Sequence, residues 1–147
     1  MALDVRPLVD GLSVSPQVTE QDIRDAHAAG FRTIINNRPD GEEPGQLSSA
    51  QAGALARELG LTYIYQPATG PTLELVAPDF GSALATAPGP VLAHCRSGTR
   101  CTILWALAEA KAGSRNSEAI LRAAADAGYD LSAYAGIIDR YTQSRAE

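Results

Sequence analysis

Residues 88–113 leave little choice of architecture. Pro88-Gly89-Pro90 leads into the apolar run Val91-Leu92-Ala93, then the polar loop His94-Cys95-Arg96-Ser97-Gly98-Thr99-Arg100, then an apolar stretch from Cys101 to Ala112 that stops at Gly113. A short run that is apolar at every position suits a strand buried on both faces, as in the centre of a parallel sheet. A strand that turns straight into an apolar helix belongs to an α/β layered domain, and other strands and crossover helices must cover it.

The remaining sequence supplies them. Thr19 is placed to cap a helix over about Glu20–Ala29, with Glu20 and Asp22 in its first turn and Gly30 as the left-handed terminator. Phe31–Asn36 reads as a β-branched buried strand, and residues 37–45 (Asn-Arg-Pro-Asp-Gly-Glu-Glu-Pro-Gly) as a long polar loop. Ser48 or Ser49 opens an alanine-rich helix to Leu59-Gly60, and Leu61–Tyr65 is a further strand. Thr72–Ala87 has helical character, but Pro78 and Gly81 require a later start or a kink. Beyond Gly113, Ser114 or Asn116 starts a helix to Ala127-Gly128, and Leu131–Ser144 is the last. The expected fold is one α/β domain over residues 1–147, a mainly parallel central sheet flanked by helices, with its site at the carboxyl ends of the strands.

Composition narrows the function. A chain of 147 residues with 45% hydrophobic content buries roughly two thirds of its unfolded surface as one domain. Its formal charge of -5, without a basic tract, argues against nucleic acid as a partner. The first residues lack the basic start and apolar core of a signal peptide, and no apolar run approaches membrane-spanning length, so a cytoplasmic location away from membranes is expected. Two cysteines, Cys95 and Cys101, are too few for a disulfide framework, and His27 and His94 have no zinc-site spacing, so no metal or other cofactor is expected.

The chemistry concentrates in the loop. A cysteine between a buried strand and a helix start faces unpaired N–H groups and the positive end of the helix dipole, which together favour its thiolate. Cys95 is therefore the expected nucleophile. Gly98 permits a positive φ, Arg100 offers a planar fork to an oxyanion, and Arg96, Ser97 and Thr99 complete an anion-binding loop. His94 is expected to support the loop through a hydrogen bond rather than to shuttle protons. Cys101 reads as a small core residue of the first helical turn, or as a partner that resolves an oxidised Cys95. Asn37 and Arg38 are expected on the pocket rim, since loops after parallel strands gather at one sheet edge; Glu42 reads as part of a solvated turn.

The loop HCRSGTR, the segment from Gly30 to Glu43 and the lead-in Pro88–Ala93 together resemble the bacterial beta-lactamase hydrolase-like phosphatase-like family, also described as a sulfur transferase. The resemblance runs from about Ser13 to Tyr134 and implies a fold like that of the dual-specificity protein tyrosine phosphatases. It also implies a persulfide dioxygenase as a partner in trans. Four residues separate Cys95 from Arg100, one fewer than in protein tyrosine phosphatases, and a Cys-Arg-x-Gly start is similar to the rhodaneses, whose cysteine carries sulfane sulfur. Residues 66–71, where such phosphatases keep an aspartate as general acid, hold no carboxylate, and Asp40 and Asp79 read as structural. Cys101 also departs from the family, which usually has a hydroxyl residue after the arginine.

These features order the expectations. The first is a sulfurtransferase in which Cys95 takes sulfur from a small anionic donor such as thiosulfate or a persulfide and passes it to a thiol acceptor, a step that needs no acid. The alternatives are a phosphatase using Cys95 as nucleophile, and a thiol redox sensor that pairs Cys95 with Cys101.

Overall fold

The computed structural model describes residues 3–146. Five strands, β1 (Arg6–Val9), β2 (Leu12–Ser15), β3 (Thr33–Asn36), β4 (Thr62–Tyr65) and β5 (Val91–His94), form one sheet in the order β1-β2-β5-β3-β4. Only β1 runs antiparallel, paired with β2; the other pairings are parallel. The mainly parallel sheet expected from the sequence is thus present, and β5 lies at its centre.

Among the described residues, six helices flank it: α1 (Glu20–Ala28), α2 (Ser49–Glu58), α3 (Leu73–Thr86), α4 (Thr99–Ala112), α5 (Ser117–Asp126) and α6 (Ala135–Ala146). Strand β3 shows why both faces are covered. Ile34 packs with Val18, Ile23, Ala52, Leu55 and Ala56 in the layer of α1 and α2. Its neighbour Ile35 points the other way, into the larger core with Phe80, Leu104, Trp105, Ile120 and Ile138. Ile35 is wholly buried, so Ile35→Ala is expected to cost about 2–5 kcal/mol of unfolding free energy in a urea titration.

Local signals set the helix starts. Thr19 Oγ1 accepts the Asp22 amide at 3.0 Å while Asp22 accepts the Thr19 amide at 2.9 Å, a reciprocal cap. Ser48 and Asn116 cap α2 and α5 in the simpler one-way manner.

Some elements differ from expectation. Helix α4 starts at Thr99 rather than Cys101, because Gly98 at φ +96° turns the chain directly into helix. Helix α6 starts at Ala135 behind a 3-10 turn rather than at Leu131. Helix α3 starts at Leu73, later than Thr72 as Pro78 and Gly81 led one to expect, and accommodates Pro78 inside. The β1–β2 hairpin was not anticipated; Asp10-Gly11 between two apolar runs is its signal, and Gly11 takes φ +82°. No helix among the described residues is long and apolar enough to cross a membrane.

The register then positions the site. Ser15 and Asn36 both pair with His94, and Asn36 pairs with Tyr65, so the last residues of four parallel strands stand in one row. The segments that follow them leave from a single edge of the sheet.

Candidate active site

Cys95 follows the last residue of β5 and is fully buried, on the floor of the loop rather than at its mouth. Its Sγ accepts the Gly98 amide at 3.1 Å. The thiol is lowered from an ordinary value of 9.0 to about 5, chiefly by a hydrogen bond from the Cys101 thiol, with the amides of Cys101, Gly98 and Ser97 adding to it against the opposing effect of burial. Cys101, buried in the first turn of α4, is pushed the opposite way by burial and by the neighbouring thiolate, so it keeps its proton. Both cysteines are free thiols.

The loop is braced from below and from both ends. Thr102 Oγ1 donates to the Gly98 carbonyl at 2.8 Å, and Tyr129 Oη donates to the Ser97 carbonyl at 2.9 Å. These carbonyls are therefore engaged by side chains, while the Gly98 amide faces the sulfur. Ser97 donates to the Thr99 hydroxyl at 3.0 Å. Arg96 is exposed, but its carbonyl accepts the Gln17 amide at 3.1 Å, which ties the loop to the segment after β2.

Arg100 lies on the first turn of α4, and its guanidinium reaches two other segments. Nη1 donates to Glu42 Oε2 and to the Ala68 carbonyl, both at 2.9 Å, while Nη2 donates to Glu42 Oε1 at 2.8 Å. Glu42 Oε1 also accepts Arg38 Nε at 2.8 Å. The hydrogen bonds from Arg100, ahead of that from Arg38, hold the Glu42 carboxyl at about 2, against an ordinary 4.5. Glu42 is therefore ionised and engaged, although it lies in an exposed turn.

The two residues expected on the rim lie lower. The Arg38 side chain is 1% exposed and is held by Glu42, by Glu43 at 3.1 Å and by Gln17 Oε1 at 3.2 Å. It reaches the site only through these partners. Asn37 is buried, donating its side-chain N–H to the Gln66 carbonyl and its amide to the His94 carbonyl, each at 2.8 Å. Asn37 Oδ1 and Gln66 Oε1 are buried without a hydrogen-bond partner. Burial lowers His94 to about 4, so its ring is neutral near neutral pH. A hydrogen bond between the ring and the Cys95 backbone acts in the opposite sense to burial.

Neither of the substitute aspartates is set up as a proton donor. Asp40 accepts from the Ser49 amide and hydroxyl, both at 2.8 Å, fastening the start of α2. Asp79 is exposed on α3. An apolar groove of about 570 Å³ between α3, α4 and α6 does not include the loop. Sequence reasoning passed over Gln17 and Tyr129, and it named Glu42 without giving it a role. The shared sheet edge was the available signal for Glu42, and nothing local pointed to Tyr129.

Known proteins share this sequence and fold. The family model for the phosphatase-like domain of beta-lactamase hydrolase-like protein matches residues 4–112. A beta-lactamase hydrolase-like protein of Agrobacterium fabrum is 38% identical over 130 residues, covering 88% of this chain. The chain spans only 30% of that protein's length. Among solved structures, a candidate phosphatase from Neisseria meningitidis superposes with a TM-score of 0.82 at 34% identity, covering 92% of this chain and 96% of that one. The catalytic domain of a yeast PP-IP phosphatase, SIW14, shares the fold with a TM-score of 0.65 at 14% identity, covering 93% of this chain and 84% of its own.

Proposed function

The chain belongs to the phosphatase-like domain family of beta-lactamase hydrolase-like proteins, and from that premise we propose that it is a cysteine-dependent phosphohydrolase. The observation that carries the reading is a buried thiolate facing the Gly98 amide at the start of α4, with an arginine in the same helical turn. The similarity to the Neisseria candidate phosphatase over nearly the whole of both chains supports it. This reverses the order expected from counting loop residues. The shorter loop still supplies amides to the sulfur, and starting the helix at Thr99 still places Arg100 beside it in the chain.

In the proposed reaction the Cys95 thiolate attacks phosphorus and the ester oxygen departs with the bonding pair. A phosphocysteine results. Water then attacks that phosphorus, releasing inorganic phosphate and restoring the thiolate. Loop amides and Arg100 would stabilise the charge on the equatorial oxygens. Residues 66–71 hold no carboxylate, Asp40 is engaged at α2, and the ionised Glu42 has no proton to give. Leaving groups that depart without protonation, such as aryl oxides or a second phosphate, therefore suit the site.

A second reading, transfer of sulfane sulfur through a Cys95 persulfide, is favoured by the same lack of an acid and by the four-residue spacing. One experiment separates the two. Phosphate release is measured across aryl phosphates of graded leaving-group acidity, alongside intact mass after thiosulfate. The expected result is release that falls steeply as the leaving group becomes more basic and that disappears in Cys95→Ser. Accumulation of a one-sulfur adduct on Cys95 without phosphate release would overturn the phosphohydrolase reading in favour of sulfur transfer.

A further inference from the structure

A guanidinium has five N–H donors in one plane. In Arg100, Glu42 takes one hydrogen from each terminal nitrogen, and the Ala68 carbonyl takes the second hydrogen of Nη1. The two donors left, Nε–H and the outer hydrogen of Nη2, point the same way along one side of the plane. Two parallel donors are the geometry that binds two oxygens of a single oxyanion.

The Arg100–Glu42 pairing is itself partly exposed, and its anchor lies deeper. Glu42 is anchored in turn by Arg38, whose buried guanidinium would be costly to leave without its carboxylate. Arg38 also donates to Gln17 Oε1, and the Gln17 amide donates to the Arg96 carbonyl. A continuous brace therefore runs from Arg96 through Gln17, Arg38 and Glu42 to Arg100, closing around both ends of the reactive loop.

We propose that Glu42 is a positioning residue for oxyanion binding: by holding the terminal edge of the Arg100 guanidinium, it presents the Nε/Nη2 edge to the phosphoryl oxygens of the substrate. The assignment rests on the phosphohydrolase reading and adds to it a residue that touches neither the sulfur nor the substrate. Glu42 is thus a permanent partner of Arg100 rather than a lid that the substrate displaces. Its low carboxyl pKa agrees with a pairing that persists across the range in which the enzyme would work.

Glu42→Gln is the informative variant, because its side-chain oxygen still accepts from buried Arg38 while its amide opposes one Arg100 N–H. Inorganic phosphate is titrated calorimetrically into wild type, Glu42→Gln and Glu42→Asp. KM and kcat for an aryl phosphate and the pH midpoint of the Cys95 thiolate absorbance are measured on the same proteins. Glu42→Gln is expected to weaken phosphate binding about tenfold or more, to raise KM more than it lowers kcat, and to leave the thiolate midpoint no higher than in wild type. Glu42→Asp recovers part of the affinity, since it keeps the charge with a shorter reach. Equal or tighter phosphate binding by Glu42→Gln would make Glu42 a competitor of the substrate and overturn the assignment while leaving the phosphohydrolase reading intact. A raised thiolate midpoint with a lowered melting temperature would show that Glu42 only supports the loop, which also overturns it. A wild type that neither binds nor releases phosphate would defeat both readings.

Discussion

The ultraviolet absorbance of the Cys95 thiolate, taken as the difference between wild type and Cys95→Ser, is expected to appear with a midpoint near pH 5. Against the ordinary value of 9.0 the shift is about four pH units, so at about pH 7 this sulfur is about 99% ionised where an unperturbed one is about 1%. The midpoint is a better diagnostic than the alkylation rate. Each tenfold gain in a thiol's acidity makes its thiolate roughly threefold less nucleophilic, and across about four powers of ten that loss nearly cancels the gain in thiolate at neutral pH. The linkage sign follows from the lowered folded value: the Cys95 contribution to stability is fully present above the unfolded pKa and is lost as pH falls through about 5. Cys101→Ala removes the main cause of the lowering and is expected to move the midpoint upward, whereas Cys101→Ser, which keeps a donor, moves it less. An unchanged midpoint in Cys101→Ala would assign the effect to the helix-start amides alone.

Gly98→Ala is expected to be the most damaging single substitution in the loop. Gly98 sits at φ +96°, where a Cβ is strained, and that Cβ would overlap the Tyr129 hydroxyl and approach its ring carbon Cζ to 2.7 Å. Left-handed strain and overpacking together cost about 2–4 kcal/mol, a fall of roughly 5–15 °C in melting temperature. Relief requires the backbone to shift, which withdraws the Gly98 amide from Cys95 and the Gly98 carbonyl from Thr102. The loss of phosphate release should therefore exceed what partial unfolding explains, measured at a temperature where both proteins remain folded. Tyr129→Phe in the same chain should restore little, because the ring carbon remains in the way. Full recovery by that second change would place the whole effect on the hydroxyl.

How much of this was readable from the sequence divides along a physical line. Cys95, Gly98 and Arg100 act on one another within six consecutive positions, so residue type and local backbone geometry were enough to find them. Glu42 lies 58 positions from Arg100. Their meeting depends on Asn36 pairing in register with His94, a tertiary fact. Arg38 misled for a related reason. Arginine is seldom wholly buried, and only the convergence of Glu42, Glu43 and Gln17 makes its burial tolerable. The helix ends at Gly30, Gly60, Gly113 and Gly128 follow from glycine chemistry alone, and all four take positive φ. The hairpin of β1 and β2 was missed because Pro7 weakens the first strand and Ser13 and Ser15 break the apolar run of the second, although the Asp10-Gly11 turn was visible.

The brace on Ser97 has a bearing on where this module can be cut. Tyr129 follows α5, outside the 4–112 stretch that matches the family model, and its ring lies 5.2 Å from the Arg6 guanidinium near the other end of the chain. Ile120, Leu131 and Ile138, all buried, also come from beyond residue 112. A polypeptide ended at 112 would keep every reactive atom of the loop yet lose the hydroxyl that holds the Ser97 carbonyl, along with the cover over α4. The smallest autonomous unit is thus set by the support of the chemistry, not by the extent of the recognisable motif.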